Sequence, residues 1–196
     1  MQPLTLKGES GNVVVEGDGF RIVFDRAAGA LSEWVVDGVN LIAGGPKLNG
    51  WRAATDNDGF KAAADWRFDK DLYEWKKAGL NELEHTTETL TAEQPVEQQV
   101  KVTLQTSVGS PSNGEAFVHQ HTYTINGDGS INMTNEIQVN VAVRNLPRVG
   151  VSLSMPAGFE TFEWYGRGPH ENYRDRNAGA PVGRYSGTVD DQYVPY

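Results

Sequence analysis

The sequence contains no cysteine, and its basic residues are outnumbered by acidic ones. Without thiols the chain can form neither disulfides nor thiolate zinc sites, and it has no cysteine nucleophile. The 17 lysine and arginine residues stand against 26 aspartate and glutamate residues, which gives a net charge of −9. Such a surface repels phosphate backbones and anionic lipids, so we expect neither a nucleic acid nor a membrane partner.

Long hydrophobic runs are also missing, and no stretch approaches the length of a membrane-spanning helix. Hydrophobic residues make up 38% of the chain and charged residues 22%, a balance typical of globular proteins. A chain of 196 residues can bury one sizeable core. We therefore expect a single domain over residues 1–196.

Most of the chain alternates between apolar and polar residues, which is the pattern of strands with one buried face. The alternation is found in residues 20–25, 100–105, 117–125, 131–143 and 149–155. Between the third and fourth of these, the run Asn126-Gly127-Asp128-Gly129 predicts the turn of a β-hairpin. Many strands at short spacing predict an all-β fold, a large antiparallel β-sandwich.

One segment has helical rather than strand spacing. Leu72 and Trp75 lie three residues apart, acidic residues come first and lysines last, and Gly79 suits the position just after a helix end. The pattern predicts one short helix over residues 71–78.

Two further segments combine aromatic residues, glycine, amides and charges of both signs. They are residues 51–59, called here the loop segment, and residues 164–176, called the signature segment. Their composition suits rigid loops that bind polyols through hydrogen bonds and ring stacking. It equally suits loops whose polar groups satisfy one another, since aspartate, asparagine and glycine are common turn residues.

The signature segment resembles the pattern W-x-G-x-G-P-x-E-x-Y-x-D-R of the fifth domain of β-galactosidases in glycoside hydrolase family 2. The loop segment is similar to that family's R-A/P-x-x-D-N-D-x-G element. The predicted helix, residues 146–150 and residues 193–196 also follow the family order, so the resemblance covers essentially the whole chain.

The resemblance implies a β-sandwich related in fold to the sugar mutarotases, a galactose mutarotase-like supersandwich. In the family this domain packs beside the catalytic TIM barrel and completes one wall of its active site. The chain would supply roughly the N-terminal two thirds of the domain and be truncated at its C-terminus. The implied partners are the barrel and other domains of the parent enzyme, a galactoside substrate, and further copies in a homo-oligomer.

The resemblance assigns no catalytic residue to this chain. The parent enzyme hydrolyses terminal non-reducing β-D-galactose with two carboxylates on the barrel, and none of the acidic residues here matches their motifs. Retaining hydrolysis needs two carboxyl groups about 5 to 5.5 Å apart. We therefore expect an inactive accessory domain without a cofactor, the Mg²⁺ and Na⁺ of the parent enzyme being bound outside this region.

By resemblance, residues 58–60 lie closest to sugar. Gly59 would be a hinge, because glycine reaches positive φ without a Cβ clash. For Asp56 and Asn57 a turn-capping role is an equal alternative. The expected substrate loop comprises Arg52, Asp56, Asn57, Asp58, Gly59 and Phe60.

The signature segment is expected to be mainly structural. Trp164 would pack in the core, and Asp175 and Arg176 would form an internal ion pair or brace the segment. The matching positions are Trp164, Gly166, Gly168, Pro169, Glu171, Asn172, Tyr173, Asp175 and Arg176.

Other functions have weaker support in the sequence. His119 and His121 project from one face of a predicted strand, but two ligands without a third predict no metal site, and the histidines are interpreted as partly buried or surface groups. A sugar mutarotase with a histidine as its general acid is another alternative, but the motifs of that family are not found around the histidines of this sequence. The remaining alternatives are an independent carbohydrate-binding module and a structural domain of another family 2 glycosidase.

Overall fold

The computed structural model describes residues 2–59, 70–172 and 176–193. Within these ranges the chain forms thirteen β-strands, one α-helix and two short 3₁₀ helices. It divides into two compact units, Met1–Ser154 and Met155–Tyr196. The expectation of one sandwich domain over residues 1–196 stays a prediction.

The first unit begins with an antiparallel sheet whose five strands are neighbours in chain order. Tight turns join them, and glycines with positive φ stand in these turns, for example Gly19 at +75°. The strands are β1 (Thr5–Glu9), β2 (Asn12–Gly17), β3 (Phe20–Asp25), β4 (Ala30–Val36) and β5 (Val39–Asn40).

The remaining elements of the first unit form a second sheet, a two-stranded pair and the helix. The second sheet has four antiparallel strands in the order β10-β9-β8-β7, and β6 pairs with β11. The elements are β6 (Gly44–Asn49), α1 (Asp71–Lys77), β7 (Glu84–Val96), β8 (Gln99–Ser110), β9 (Gly114–Asn126), β10 (Ile131–Val139) and β11 (Gly150–Ser154).

The two larger sheets enclose one apolar cluster. Ile22 and Phe24 of β3 are fully buried there with Val102 of β8 and Tyr123 of β9, and the rings of Phe24 and Tyr123 meet edge to face at 4.8 Å. Sheets that bury facing apolar sides in this way make a sandwich. The predicted all-β antiparallel β-sandwich is confirmed.

A second apolar cluster holds the helix. Trp75 of α1 is 1% exposed and packs with Leu48 of β6 and Phe117 of β9. The predicted helix is confirmed, and it ends where Gly79 takes a φ of +70°. No helix in the described ranges is long and apolar enough to cross a bilayer.

The predicted hairpin between β9 and β10 is confirmed, with the Asn126 amide donating to the Ser130 carbonyl at 3.0 Å. The second strand is shorter than predicted, since β10 ends at Val139 rather than at Val143. Asn140 ends it: its side-chain amide donates to the Glu115 carbonyl, and its Oδ1 accepts from the Ala142 amide. A side chain that bonds to the nearby backbone in this way competes with strand pairing.

The second unit contains one antiparallel ribbon, formed by β12 (Thr161–Arg167) and β13 (Val182–Thr188). The short 3₁₀ helices Asn177–Gly179 and Asp190–Gln192 flank β13.

Candidate functional site

The loop segment follows β6 and is held by an ion pair between its two ends. Arg52 Nη1 donates to Asp58 Oδ2 at 2.7 Å, and Arg52 Nη2 donates to Asp58 Oδ1 at 3.1 Å. Two parallel bonds of this kind fix orientation as well as distance. The loop segment is therefore closed upon itself by a bidentate clamp.

Thr55 completes the coordination of Asp58. The amide and hydroxyl of Thr55 both donate to Asp58 Oδ2, at 2.7 and 2.9 Å. Asp58 is only 6% exposed. Burial alone would raise the pKa of this carboxyl, but the bonds from Arg52 and Thr55 and the Arg52 charge outweigh burial and hold the pKa below its usual value.

Arg52 also ties the loop segment to two distant parts of the first unit. Its guanidinium lies 4.8 Å from the ring centroid of Trp75 on α1, and its Nε donates to the Pro147 carbonyl at 3.1 Å. Trp51 meets the same Trp75 ring edge to face at 6.1 Å. The clamp thus joins the loop segment, the helix and the chain before β11.

The turn at the tip of the loop segment is formed by backbone bonds. The Asp58 amide donates to the Thr55 carbonyl and the Gly59 amide to the Asp56 carbonyl, both at 3.1 Å. Asp56 and Asn57 are exposed at this turn, and Gly59 is buried with a φ of +101°. Phe60 lies outside the described residues, so its expected place near sugar stays a prediction.

In the signature segment, Trp164 is held by aromatic neighbours and by a hydrogen bond to a nearby backbone carbonyl. Its ring lies 5.3 Å from that of Phe162 and 5.5 Å from that of Tyr185 on the paired strand. The indole Nε1 donates to the Arg167 carbonyl at 3.1 Å. A Cβ at Gly168 would lie 2.8 Å from the Tyr185 ring, so only glycine fits there without a shift.

The charged part of the signature segment contains an ion pair that the sequence pattern did not suggest. Arg176 Nη2 lies 2.6 Å from Glu171 Oε1. Tyr173 and Asp175 lie outside the described residues, and the expected pairing of Asp175 with Arg176 stays a prediction.

An open cleft of about 590 Å³ lies beside this ion pair in the second unit. Trp164 and Pro169 line it together with Asn172 and Gln192. Gly166, by contrast, faces Gly183 within the β12–β13 ribbon.

Neither segment, nor any other part of the chain that the structure describes, brings together three or more histidine, aspartate or glutamate side chains that could hold a metal ion. His119 and His121 are buried, at 0% and 1% exposure, so their interpretation as partly buried or surface groups is wrong. They lie on the inner face of the sandwich between the two apolar clusters.

The chain matches a family model described as "Beta galactosidase small chain" over residues 16–196. It belongs to that family. Proteins named β-galactosidase are 30% identical in Priestia megaterium, 30% in Psychromonas ingrahamii and 32% in Streptococcus thermophilus. These alignments cover 98%, 97% and 99% of this chain but 17%, 19% and 18% of the relatives. The chain therefore spans less than a fifth of the length of these relatives and corresponds to a part of a larger glycosidase.

The sequence pattern identified the loop segment and the signature segment, but it did not identify the groups that hold the loop segment in place. Thr55 was not singled out, although a threonine three residues before an aspartate is a known local spacing for side-chain to backbone bonds. The Pro147 carbonyl carried no signal, since every residue has a carbonyl and 95 residues separate it from Arg52.

Proposed function

We propose that the chain is a non-catalytic accessory domain of a β-galactosidase that hydrolyses terminal non-reducing β-D-galactose residues. The observation that carries the proposal is family membership combined with a span of less than a fifth of the relatives' length. In this proposal the catalytic carboxylates belong to another domain of the parent enzyme, and the chain supports the substrate pocket that they serve.

The geometry of the loop segment favours a structural role for Asp58 over a catalytic one. Asp58 is buried and accepts bonds from Arg52 and Thr55, and its lowered pKa keeps it ionised at neutral pH. A general acid needs a raised pKa and access to the substrate. Asp58 has neither, and we assign it the role of holding the loop segment in one conformation. The exposed Asp56 and Asn57 are then the polar groups that this clamp presents at the surface.

The parent enzyme would supply the remaining components. The Mg²⁺ and Na⁺ implied by the family fit no cluster of metal-ligating side chains in the described ranges, and we place their sites in other domains. The catalytic barrel and neighbouring domains are the proposed partners, in a homo-oligomeric enzyme.

Hydrolysis of a chromogenic β-galactoside by the purified chain of 196 residues tests the proposal. We expect no turnover above the buffer background, because two opposed carboxyl groups are needed and we place them elsewhere. The β-galactosidase of Streptococcus thermophilus, assayed in parallel, is the positive control. Turnover that survives repurification and disappears when one acidic residue of this chain is replaced would overturn the accessory role.

A further inference from the structure

A row of histidines crosses the buried interior of the first unit between the two apolar clusters. His119 and His121 project inward from β9, and their ring centroids lie only 3.5 Å apart. His85 on β7 is half-buried and acts electrostatically on His121. Apolar residues continue the same face of β9 on both sides of the pair, with Phe117 before it and Tyr123 after it. The three residues His85, His119 and His121 are called the histidine row.

The hydrogen bonds of the histidine row fit neutral rings. His119 Nε2 donates to Asn135 Oδ1 at 3.0 Å, and the Tyr123 hydroxyl shares a hydrogen bond of 3.3 Å with His121 Nδ1, donating to it when that nitrogen carries no proton. His119 Nδ1 is buried and has no hydrogen-bond partner in the part of the chain that the structure describes. A proton added to His119 Nδ1 would find no acceptor among the described residues, and one added to His121 Nδ1 would have only the Tyr123 hydroxyl as its acceptor.

The groups that face the histidine row are positive when charged, so they oppose protonation of its rings. Burial is the main cause that lowers the pKa of all three histidines. Lys47 and His119 lower the pKa of His85 further, and His119 and His85 lower that of His121 to about 3. Tyr123, whose pKa burial raises, stays neutral. Among the described residues no carboxylate offsets these effects, so the row has no counter-ion.

We propose that the histidine row is an acid-sensitive switch in the sandwich: the two sheets stay packed while the three rings are neutral, and acidification opens the inner face of the four-stranded sheet. Protonation within the closed sandwich would bury adjacent positive charges without partners. Opening admits water, which solvates the imidazolium ions. The switch depends only on the first unit and is independent of the accessory role proposed above.

The sign and size of the effect follow from proton linkage. Because the folded chain holds the three histidines of the row below their ordinary pKa of 6.5, these residues bind fewer protons in the folded state than in the open state. The stability that the neutral histidine row contributes is therefore fully present above about pH 6.5, and it is lost as the pH falls below that value. At about pH 5, His121 alone shifts the equilibrium toward the open state about thirtyfold. His85 and His119 act in the same direction.

Urea unfolding of the full chain at several pH values between about 5 and 7 measures this effect, because the slope of the unfolding free energy with pH counts the protons taken up. Near pH 5, we expect the His121→Gln variant to take up about one proton fewer on unfolding than the wild-type chain does. His170→Gln is the matched control, since His170 lies in the second unit, and it should keep the contribution of the row. An unchanged slope in His121→Gln would overturn the switch.

NMR titration of the wild-type chain keeps the proposal testable if His121→Gln does not fold. Between about pH 7 and pH 5, the chemical shifts of the His121 ring protons in the folded chain should not change with pH. Titration of His121 near its ordinary value in the folded chain would overturn the proposal.

Discussion

The clamp between Arg52 and Asp58 shows how a charged pair can serve as structure. Burying an ion pair costs solvation free energy, and this cost is offset only when further hydrogen bonds complete both partners. Here Thr55 donates further hydrogen bonds to the aspartate. The arginine donates to the Pro147 carbonyl and lies over the Trp75 ring. The pair remains charged because the pKa of Asp58 is lowered, so the loop segment is held over the whole neutral range.

Gly59 carries a steric requirement that can be measured. Its φ is +101°, and an added Cβ would lie 2.7 Å from Lys70 Cβ. We expect Gly59→Ala to lower the unfolding free energy by about 1 kcal/mol or more, with a lower Tm, because alanine strains at positive φ and contacts Lys70. Thermal unfolding of the purified chain is the measurement.

Gly114→Ala is the matched control for this substitution. Gly114 also has a positive φ, +72°, but its Cβ would meet nothing within 4 Å. It should therefore lose less stability than Gly59→Ala. Equal losses would mean that the Lys70 contact is easily relieved, and the expected hinge role of Gly59 would then be the better explanation for a glycine at this position.

At this scale the sequence predicted which residues matter but not what they touch. Arg52 and Asp58 lie within one motif, and a contact between them is compatible with their spacing. The Trp75 contact depends on packing between the loop segment and α1, and the Glu171–Arg176 pair depends on how the signature segment bends. Such contacts are fixed by tertiary structure, which single-residue patterns do not encode.

Among the elements, predictability followed the strength of the apolar alternation. Residues 20–25 coincide with β3, and residues 117–125 lie within β9, because both segments bury alternate large side chains. β7 was not predicted, since it is rich in threonine and glutamate and buries only Leu90. The end of β10 was predicted four residues too late, because the Asn140 side-chain bonds interrupt an alternation that continues in the sequence.

Helix α1 is attached to the sandwich mainly through one side chain. Trp75 is 1% exposed and contacts both Trp51 and Arg52. We expect Trp75→Ala to reduce the unfolding free energy by about 3–5 kcal/mol, because it removes a large buried ring and leaves a cavity. Tyr73→Ala, on the same helix and 38% exposed, is the matched control. Urea unfolding of both variants is the measurement, and a loss as large for Tyr73→Ala would contradict the assignment of Trp75 as the anchor.

At the scale of the whole molecule, β10 is an edge strand of the four-stranded sheet in the first unit. Among the described strands β10 pairs only with β9, so one of its backbone edges has no strand partner. Met133 and Val139 on this strand are 37% and 41% exposed. An exposed edge with apolar side chains is a template for pairing with another strand.

We therefore expect the purified chain to associate through β10 at micromolar concentration, because pairing of two edges satisfies backbone hydrogen bonds and covers Met133 and Val139 at once. Sedimentation velocity measures the oligomeric state. Val139→Lys should shift the chain toward the monomer, since a lysine on an edge strand opposes pairing. Val141→Lys is the matched control, because Val141 is 96% exposed and lies beyond the end of β10, and it should leave association unchanged. A compact monomer in the wild-type chain would contradict the prediction, and equal effects of the two lysines would show that added charge, rather than the β10 edge, controls association.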